Sequence, residues 1–443
     1  MKKIIINSCL LVFISITITQ CKQVDNSKEI AGPSIQHYCE QKLTDVIVYD
    51  IFSPPVASRI YAYSNLAFYE AIRFTDTNNH SIIAQLKGFK QIPAPTPNQL
   101  YNYDLAAIVA FMKVAKTLVF SKDSIQVAKD KILTQYKNID ETVFQRSVAL
   151  GDTVGAIILQ RASNDNYKLT RGMPRYSVFK EKGKWLQTPP DYADAVEPYW
   201  NKIQPLLMDT ASQFAPPPPP PYDLTKSSVY YKELKEVYDV SKQLTKEQDT
   251  IAHYWDDNAL VSEHKGHLTY SNKKTTPVGH WMGITAILSG TKAEDKMLTA
   301  RAYALSACAI FDAFISCWDE KYRSKTIRPI SVIRETMESE WNALLQTPPF
   351  PEYTSGHSVI SAAVATVLTN EFGQNHAFHD TTELQYLGME RSFNSIEAAS
   401  NEACISRLYG GIHFRAAIEN GKEQGKKIGT LYNTIFINHF NKK

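Results

Sequence analysis

The sequence predicts an all-α protein built of helical bundles. Apolar residues recur at helical spacing in segment after segment. Nowhere do apolar and polar residues alternate at period two for long enough to build a sheet. The run Val359 to Leu368 is long enough for a buried helix, and it follows a capping Thr354 or Ser355. With 443 residues, the chain has room for two or three domains or one large helical one. Hydrophobic content of 44% and charged content of 21% are globular values. A net charge of +3 gives no case for nucleic acid as a partner.

The first residues read as a targeting segment. Lys2 and Lys3 precede an apolar run from Ile4 to Ile18, and Cys21 follows. A secretory signal over residues 1–20 is expected. Its end resembles a bacterial lipoprotein cleavage site with Cys21 as the lipidated residue, although Gln20 stands where a small residue is usual. The protein is then exported and lipid-anchored to a bacterial membrane. Residues 21–37 are polar and read as a tether. Cys39, Cys308, Cys317 and Cys404 match no zinc spacing and read as single buried thiols.

A first helical region is expected over 38–223. It holds an amphipathic piece from Asp45 to Phe52, a break at Pro54 and Pro55, and helices over Val56–Phe74, Leu100–Val119, Asp123–Tyr136 and Asp140–Ala162. From Asn164 to Asp223 the pattern is lost. Prolines punctuate this stretch, and Pro216 to Pro221 form an unbroken run, a stiff segment of roughly 3 Å per residue. It reads as a strap that covers the core and shapes an entrance to the site. A second region, 224–443, follows. Helices are expected over Ser228–Trp255, Pro277–Leu288, Ala293–Trp318, the run after His357, Ile396–Leu408 and Phe414–Phe440.

Three islands in the last third carry chemistry. Lys321 is followed after six residues by Arg328-Pro329, then comes Ser355-Gly356-His357, and Ser406-Arg407 is followed after five residues by His413. Each is weak alone. Together they supply three cations, a hydroxyl, an amide at a helix start and two imidazoles, a set suited to an oxyanion. The histidines are candidates for nucleophile or ligand, and for acid or base. Asp256, Asp257, His264 and His267 form a weaker group: they could bind a metal, though the spacing of the histidines is not specific, or instead border an entrance. Phe350 and Trp318 are candidates to line the pocket.

The order and spacing of these islands resemble the signature shared by vanadium-dependent haloperoxidases and type 2 phosphatidic acid phosphatases. The strings Pro349 to Ser358 and Tyr409 to Arg415, and the helical region before the first island, are more similar to bacterial haloperoxidase-like proteins. The resemblance implies vanadate as cofactor. Lys321, Arg328 and Arg407 would balance its charge, Ser355 and the Gly356 amide would hydrogen-bond it, His413 would be the vanadium ligand, and His357 would handle protons. Substrates would be hydrogen peroxide, iodide or bromide, and a small organic acceptor. Members of the superfamily often pair, so the resemblance leaves room for a homodimer.

Two other readings stay open: an acid phosphatase binding phosphate and working through a phosphohistidine at His413, and a non-catalytic oxyanion-binding lipoprotein. The resemblance also implies an aspartate three or four residues after the last histidine. Here Ala416 and Ala417 stand there, and Glu419 is the nearest acid. Loss of an orienting carboxylate would hurt a nucleophilic histidine more than a coordinating one.

Overall fold

A computed structural model describes residue 32 and residues 34–440 apart from 179, 260, 266, 272 and 291–294. The expected signal and Cys21 lie outside the described residues. The fold is helical. Its first helices are α1 (Ser34–Tyr49), α2 (Pro54–Ile72), α3 (Tyr103–Leu118), α4 (Lys122–Leu133) and α5 (Glu141–Ser163). The helix α1 begins inside the stretch expected to be tether. Ile35 and Gln36 are buried and His37 Nδ1 lies 2.8 Å from the Tyr303 hydroxyl, so residues 34–37 belong to the fold. Pro54 and Pro55 do not merely interrupt: they open α2, where a fixed φ and a missing N–H cost nothing. Asn102 and Asp140 cap α3 and α5 by accepting from the Leu105 and Val143 amides.

The turn α6 (Tyr167–Arg171) begins the irregular excursion, which is strapped to the bundle by buried polar contacts. Asp165 pairs with Arg59 at 2.6 Å. Asp312 accepts the amides of Leu206, Leu207 and Met208 at 2.7, 2.9 and 3.1 Å. The Trp185 amide donates to the Lys325 carbonyl and the Ile327 amide to the Gly183 carbonyl. Sixty residues with little regular structure are held by these bonds and by buried Trp200, Leu206 and Met208.

The single helix expected over 228–255 is two, α7 (Val229–Lys242) and α8 (Lys246–Tyr254). Thr245 and Gln248 form a reciprocal capping box that starts the second. Two short hairpins are present, β1 (Ser262–Lys265) with β2 (Leu268–Ser271), and β3 (Phe378–Asp380) with β4 (Arg391–Phe393). The remaining helices are α9 (Pro277–Gly290), α10 (Lys296–Ser324), α11 (Pro329–Thr336), α12 (Gly356–Phe372), the turn α13 (Leu384–Leu387), α14 (Ile396–Tyr409) and α15 (Arg415–Phe440).

The helix α10 is apolar on nearly all sides, as a helix through the middle of a core must be. Its most apolar window would suit a membrane span by length and composition, but 94% of it is buried within the protein. One contiguous core runs from Ile35 to Phe436, so the two expected regions share it. Against α12 lies α15, through Gly421, Gly425 and Gly429. A Cβ at Gly425 would stand 2.1 Å from the Val359 carbonyl oxygen, and one at Gly429 2.6 Å from that of Ala363. Backbone meets backbone there, which only glycine permits. All four described cysteines are free and buried.

Candidate active site

The three islands converge. Lys321 lies on the last turn of α10, Arg328 caps α11, Ser355 caps α12 by accepting from the Ser358 amide, Arg407 lies on the last turn of α14, and His413 sits just before α15. Lys321, Arg328, Ser355, Arg407 and His413 are all buried. Gly356, His357, Arg407 and His413 share a cavity of about 40 Å³ with Trp318 and Phe350. The wall around them includes Pro54, Asp257, Pro277, Phe314 and Pro348. Among the described residues, none of the excursion lines it. The excursion instead braces the wall from behind: the Val196 amide donates to the Pro349 carbonyl, and Trp318 Nε1 donates to the Val196 carbonyl at 3.2 Å.

The cations are held by backbone. Lys321 Nζ donates to the carbonyls of Pro351, Glu352 and Thr354 at 3.0, 3.0 and 2.5 Å. All three ammonium hydrogens are thereby engaged, so in this arrangement Lys321 contributes charge rather than a hydrogen bond to the cavity. Arg328 Nε donates to the Phe350 carbonyl at 2.9 Å and Nη1 to that of Ile412 at 2.8 Å. Arg407 Nη1 donates to the Trp255 carbonyl at 2.6 Å, while its buried Nε has no partner. Burial pushes Lys321 down to about 7 and Arg328 down to about 10, and it lowers Arg407. Glu352 acts on Lys321 and Arg328, and Asp256 and Asp257 on Arg407, but among the described residues no carboxylate forms an ion pair with any of the three, which suits the site to an anion.

His413 is held in one orientation. Its Nδ1 lies 2.8 Å from Glu352 Oε1, which also accepts the Phe414 amide at 3.0 Å. Its Nε2 lies 3.2 Å from Arg328 Nη1. A guanidinium can only donate, so Nε2 carries the lone pair and Nδ1 the hydrogen. Burial, then Arg328, Lys321 and Arg407, hold the ring's pKa well below the usual range, so it stays neutral. Burial raises Glu352 to about 7, against the pull of Arg328 and Lys321. Glu352 therefore takes the orienting role that Ala416 and Ala417 cannot. Glu419 does not: it is exposed and lies 3.8 Å from Arg415. The missing aspartate thus ceases to weigh against a phosphatase.

His357 is half-buried, and its buried Nε2 points at Asp257 Oδ2 across 3.6 Å without a hydrogen bond. Burial and Arg407 lower its pKa, which Asp257 partly offsets.

The comparisons with known proteins agree with this arrangement. The family described as the VCPO second helical-bundle domain matches residues 301–442. A bacterial vanadium-dependent iodoperoxidase of solved structure is 45% identical, with a TM-score of 0.86, over 91% of this chain and 96% of its own. The chain belongs to the vanadium-dependent haloperoxidases. A bacterial vanadium-dependent chloroperoxidase shares the fold at 17% identity, with TM-scores of 0.64 in its holo form and 0.67 in its apo form. These matches cover 88% and 90% of this chain and 94% and 98% of the other. Among curated proteins no match is found.

Two acids of this haloperoxidase escaped sequence reasoning as site residues. Glu352 stood inside the quoted Pro349–Ser358 string but meets His413 across 61 positions. Asp257 was expected as a weak metal ligand or part of an entrance; it faces His357 and pairs with buried His280 at 2.9 Å. Asp256 pairs with Lys274 at 2.7 Å, His264 lies on β1, and His267 is exposed in the turn after it.

Proposed function

We propose that this haloperoxidase holds vanadate in the cavity and oxidises iodide with hydrogen peroxide. One observation carries the cofactor: the Nε2 lone pair of neutral His413, fixed by Glu352 behind and aimed among three cations. That is how a protein presents an imidazole to a metal centre while balancing an oxyanion's charge. The unpartnered Arg407 Nε and the open front of Gly356, where an added Cβ would meet only Trp318 at 3.7 Å, fit the oxygens of such a group.

When bound, vanadate supplies a Lewis-acid centre that opens peroxide to attack by halide. The chain's residues do the rest. Arg328 and Arg407 offer fixed charge and N–H donors, Lys321 adds charge, Ser355 and the Gly356 amide would hydrogen-bond the oxygens of the bound group, and His357 would hold or release a proton. Trp318, Phe350 and Phe314 make the remaining wall apolar. Such a wall penalises a small, strongly hydrated halide more than iodide. The 45%-identical relative is itself an iodoperoxidase. Triiodide formation by purified apo-protein, with and without orthovanadate and beside bromide oxidation, tests this. Vanadate-dependent iodide oxidation, faster than bromide oxidation, is expected; release of phenol from an aryl phosphate without any iodide oxidation would overturn it.

We also infer export and lipid attachment through Cys21, supported by Lys2, Lys3 and the apolar run before it. Radiolabelled palmitate should mark the wild type and not Cys21→Ala.

A further inference from the structure

Behind His357 lies a buried line of ionisable groups that the reading above does not use. Asp257 Oδ2 faces His357, and its Oδ1 lies 2.9 Å from His280 Nδ1. His280 is wholly buried on α9, and its Nε2 lies 3.0 Å from Asp380 Oδ2. With a carboxylate on each nitrogen and Trp255 stacked on its face at 4.5 Å, the ring is built to be an imidazolium. Glu383 completes the set. Its Oε1 lies 3.6 Å from His280 Nδ1, is buried, and has no hydrogen-bond partner.

The neighbours of Glu383 open elsewhere. Thr381, Thr382 and Tyr386 line a separate cleft of about 540 Å³ with Glu40 and Thr275. His280 lines neither that cleft nor the cavity holding His413, but it joins Asp257, which lines the cavity, to Asp380, which precedes Thr381 of the cleft.

Oxidation of a halide by peroxide consumes a proton: halide, hydrogen peroxide and one proton give hypohalous acid and water. The halide loses two electrons, the O–O bond breaks, a halogen–oxygen bond forms, and the proton leaves in the water. A buried site needs a source for it. We propose that Glu383, His280 and Asp257 form a proton-supply line that recharges His357 from the second cleft. This rests on the haloperoxidase reading. Asp257 takes the Nδ1 proton of His280 and delivers it to His357 Nε2; the Glu383 carboxyl proton replaces it; Glu383 is recharged from water in the cleft.

The charges facing the line make Glu383 its proton source and the hop from His280 to Asp257 its uphill step. Burial lifts Glu383 to about 8, opposed by His280 and Lys274 and helped by Asp257 and Asp380, so it keeps a proton at neutral pH. Burial alone would lower His280 and raise Asp257. Asp257 and Asp380 reverse the first and hold His280 well above the usual range; His280 and His357 reverse the second and hold Asp257 below it. The other facing groups are Asp256 and Arg407 beside His357, Tyr254 against His280, and Tyr386 beside Glu383.

The test uses Glu383→Gln in the vanadate-loaded protein. At pH 8 we expect kcat for halide oxidation to fall about 10- to 100-fold with KM unchanged and the solvent isotope effect raised; at pH 6 the loss should shrink. Glu383→Asp should restore part of the rate. In wild-type apo-protein, nitrogen NMR should show His280 as an imidazolium from pH 6 to 9. An unchanged pH profile and isotope effect in an active Glu383→Gln protein would overturn the proposal. So would a neutral His280, or a stoichiometric divalent ion bound by Asp257, His280 and Glu383. A wild type that oxidises no halide would instead sink the haloperoxidase reading, while the imidazolium measurement stands apart from it.

Discussion

Glu352 Oε1 stands 2.8 Å from Nδ1 of His413 and accepts the amide of the next residue, Phe414, at 3.0 Å. One carboxylate oxygen thus fixes both the ring and the chain that carries it. Partners of this kind set the basicity of a ligating imidazole, and their loss costs about 10- to 100-fold in affinity. Glu352→Gln should weaken orthovanadate binding by that order, read by titrating apo-protein. An unaltered affinity would show that the amide contact alone positions His413.

The apo cavity concentrates Lys321, Arg328 and Arg407, whose charged forms burial disfavours. An anion that enters should raise the melting temperature, with stabilisation of about 2.7 kcal/mol at a hundredfold excess over Kd. Arg407→Ala should remove most of that response without lowering the melting temperature of the apo-protein. Calorimetric scans with and without orthovanadate check both statements.

Glu40 on α1 is buried beside Asn65, and burial raises its carboxyl to about 8. The folded state then binds a proton that the unfolded state has released above its ordinary carboxyl pKa. Stability should be fullest below pH 4.5, fall as pH rises towards 8, and level off beyond it. The loss is on the order of a few kcal/mol. In Glu40→Gln this part of the slope should vanish, measured by urea midpoints across that range.

Asp312 gathers three amides of the excursion and the Tyr432 hydroxyl, which lies 3.1 Å away. Asp312→Ala would strand buried donors at about 1–3 kcal/mol each. Denaturation midpoints should show a loss of about 3 kcal/mol or more, with Asp312→Asn milder. A loss within ~0.5 kcal/mol would mean that apolar burial of Trp200, Leu206 and Met208 holds the strap unaided.

Residue types at fixed spacing made much of this legible. Lys321, Arg328, Ser355, Gly356, His357, Arg407 and His413 were readable because each island is local; Gly356, His357, Arg407 and His413 line one cavity, Arg328 lies against His413, and Lys321 and Ser355 bind the backbone around Gly356. Glu352, Asp257 and His280 were not, because their value lies in contacts across 23, 61 and 100 positions that only tertiary packing creates. Helix types were clear from periodicity, and ends less so. The break before α8 was written in Thr245-x-x-Gln248, a reciprocal cap inside an otherwise continuous pattern. The early start of α1 was hidden because polar His37 is drawn against the fold by its bond to Tyr303, a partner 266 positions away.

The glycines of α15 bear on how such an enzyme can change. They let that helix rest on main chain along α12, whose first turn carries Gly356 and His357, and a Cβ at Gly421 would already stand 3.2 Å from the Ser355 carbonyl oxygen. Peptide groups have no rotamers to exchange, so mutation elsewhere has little leverage on where the hydroxyl, amide and imidazole of this turn point. Drift in halide preference is left to Pro54, Pro277, Phe314 and Phe350, which other segments carry and which can be swapped while the oxyanion cradle stays as it is.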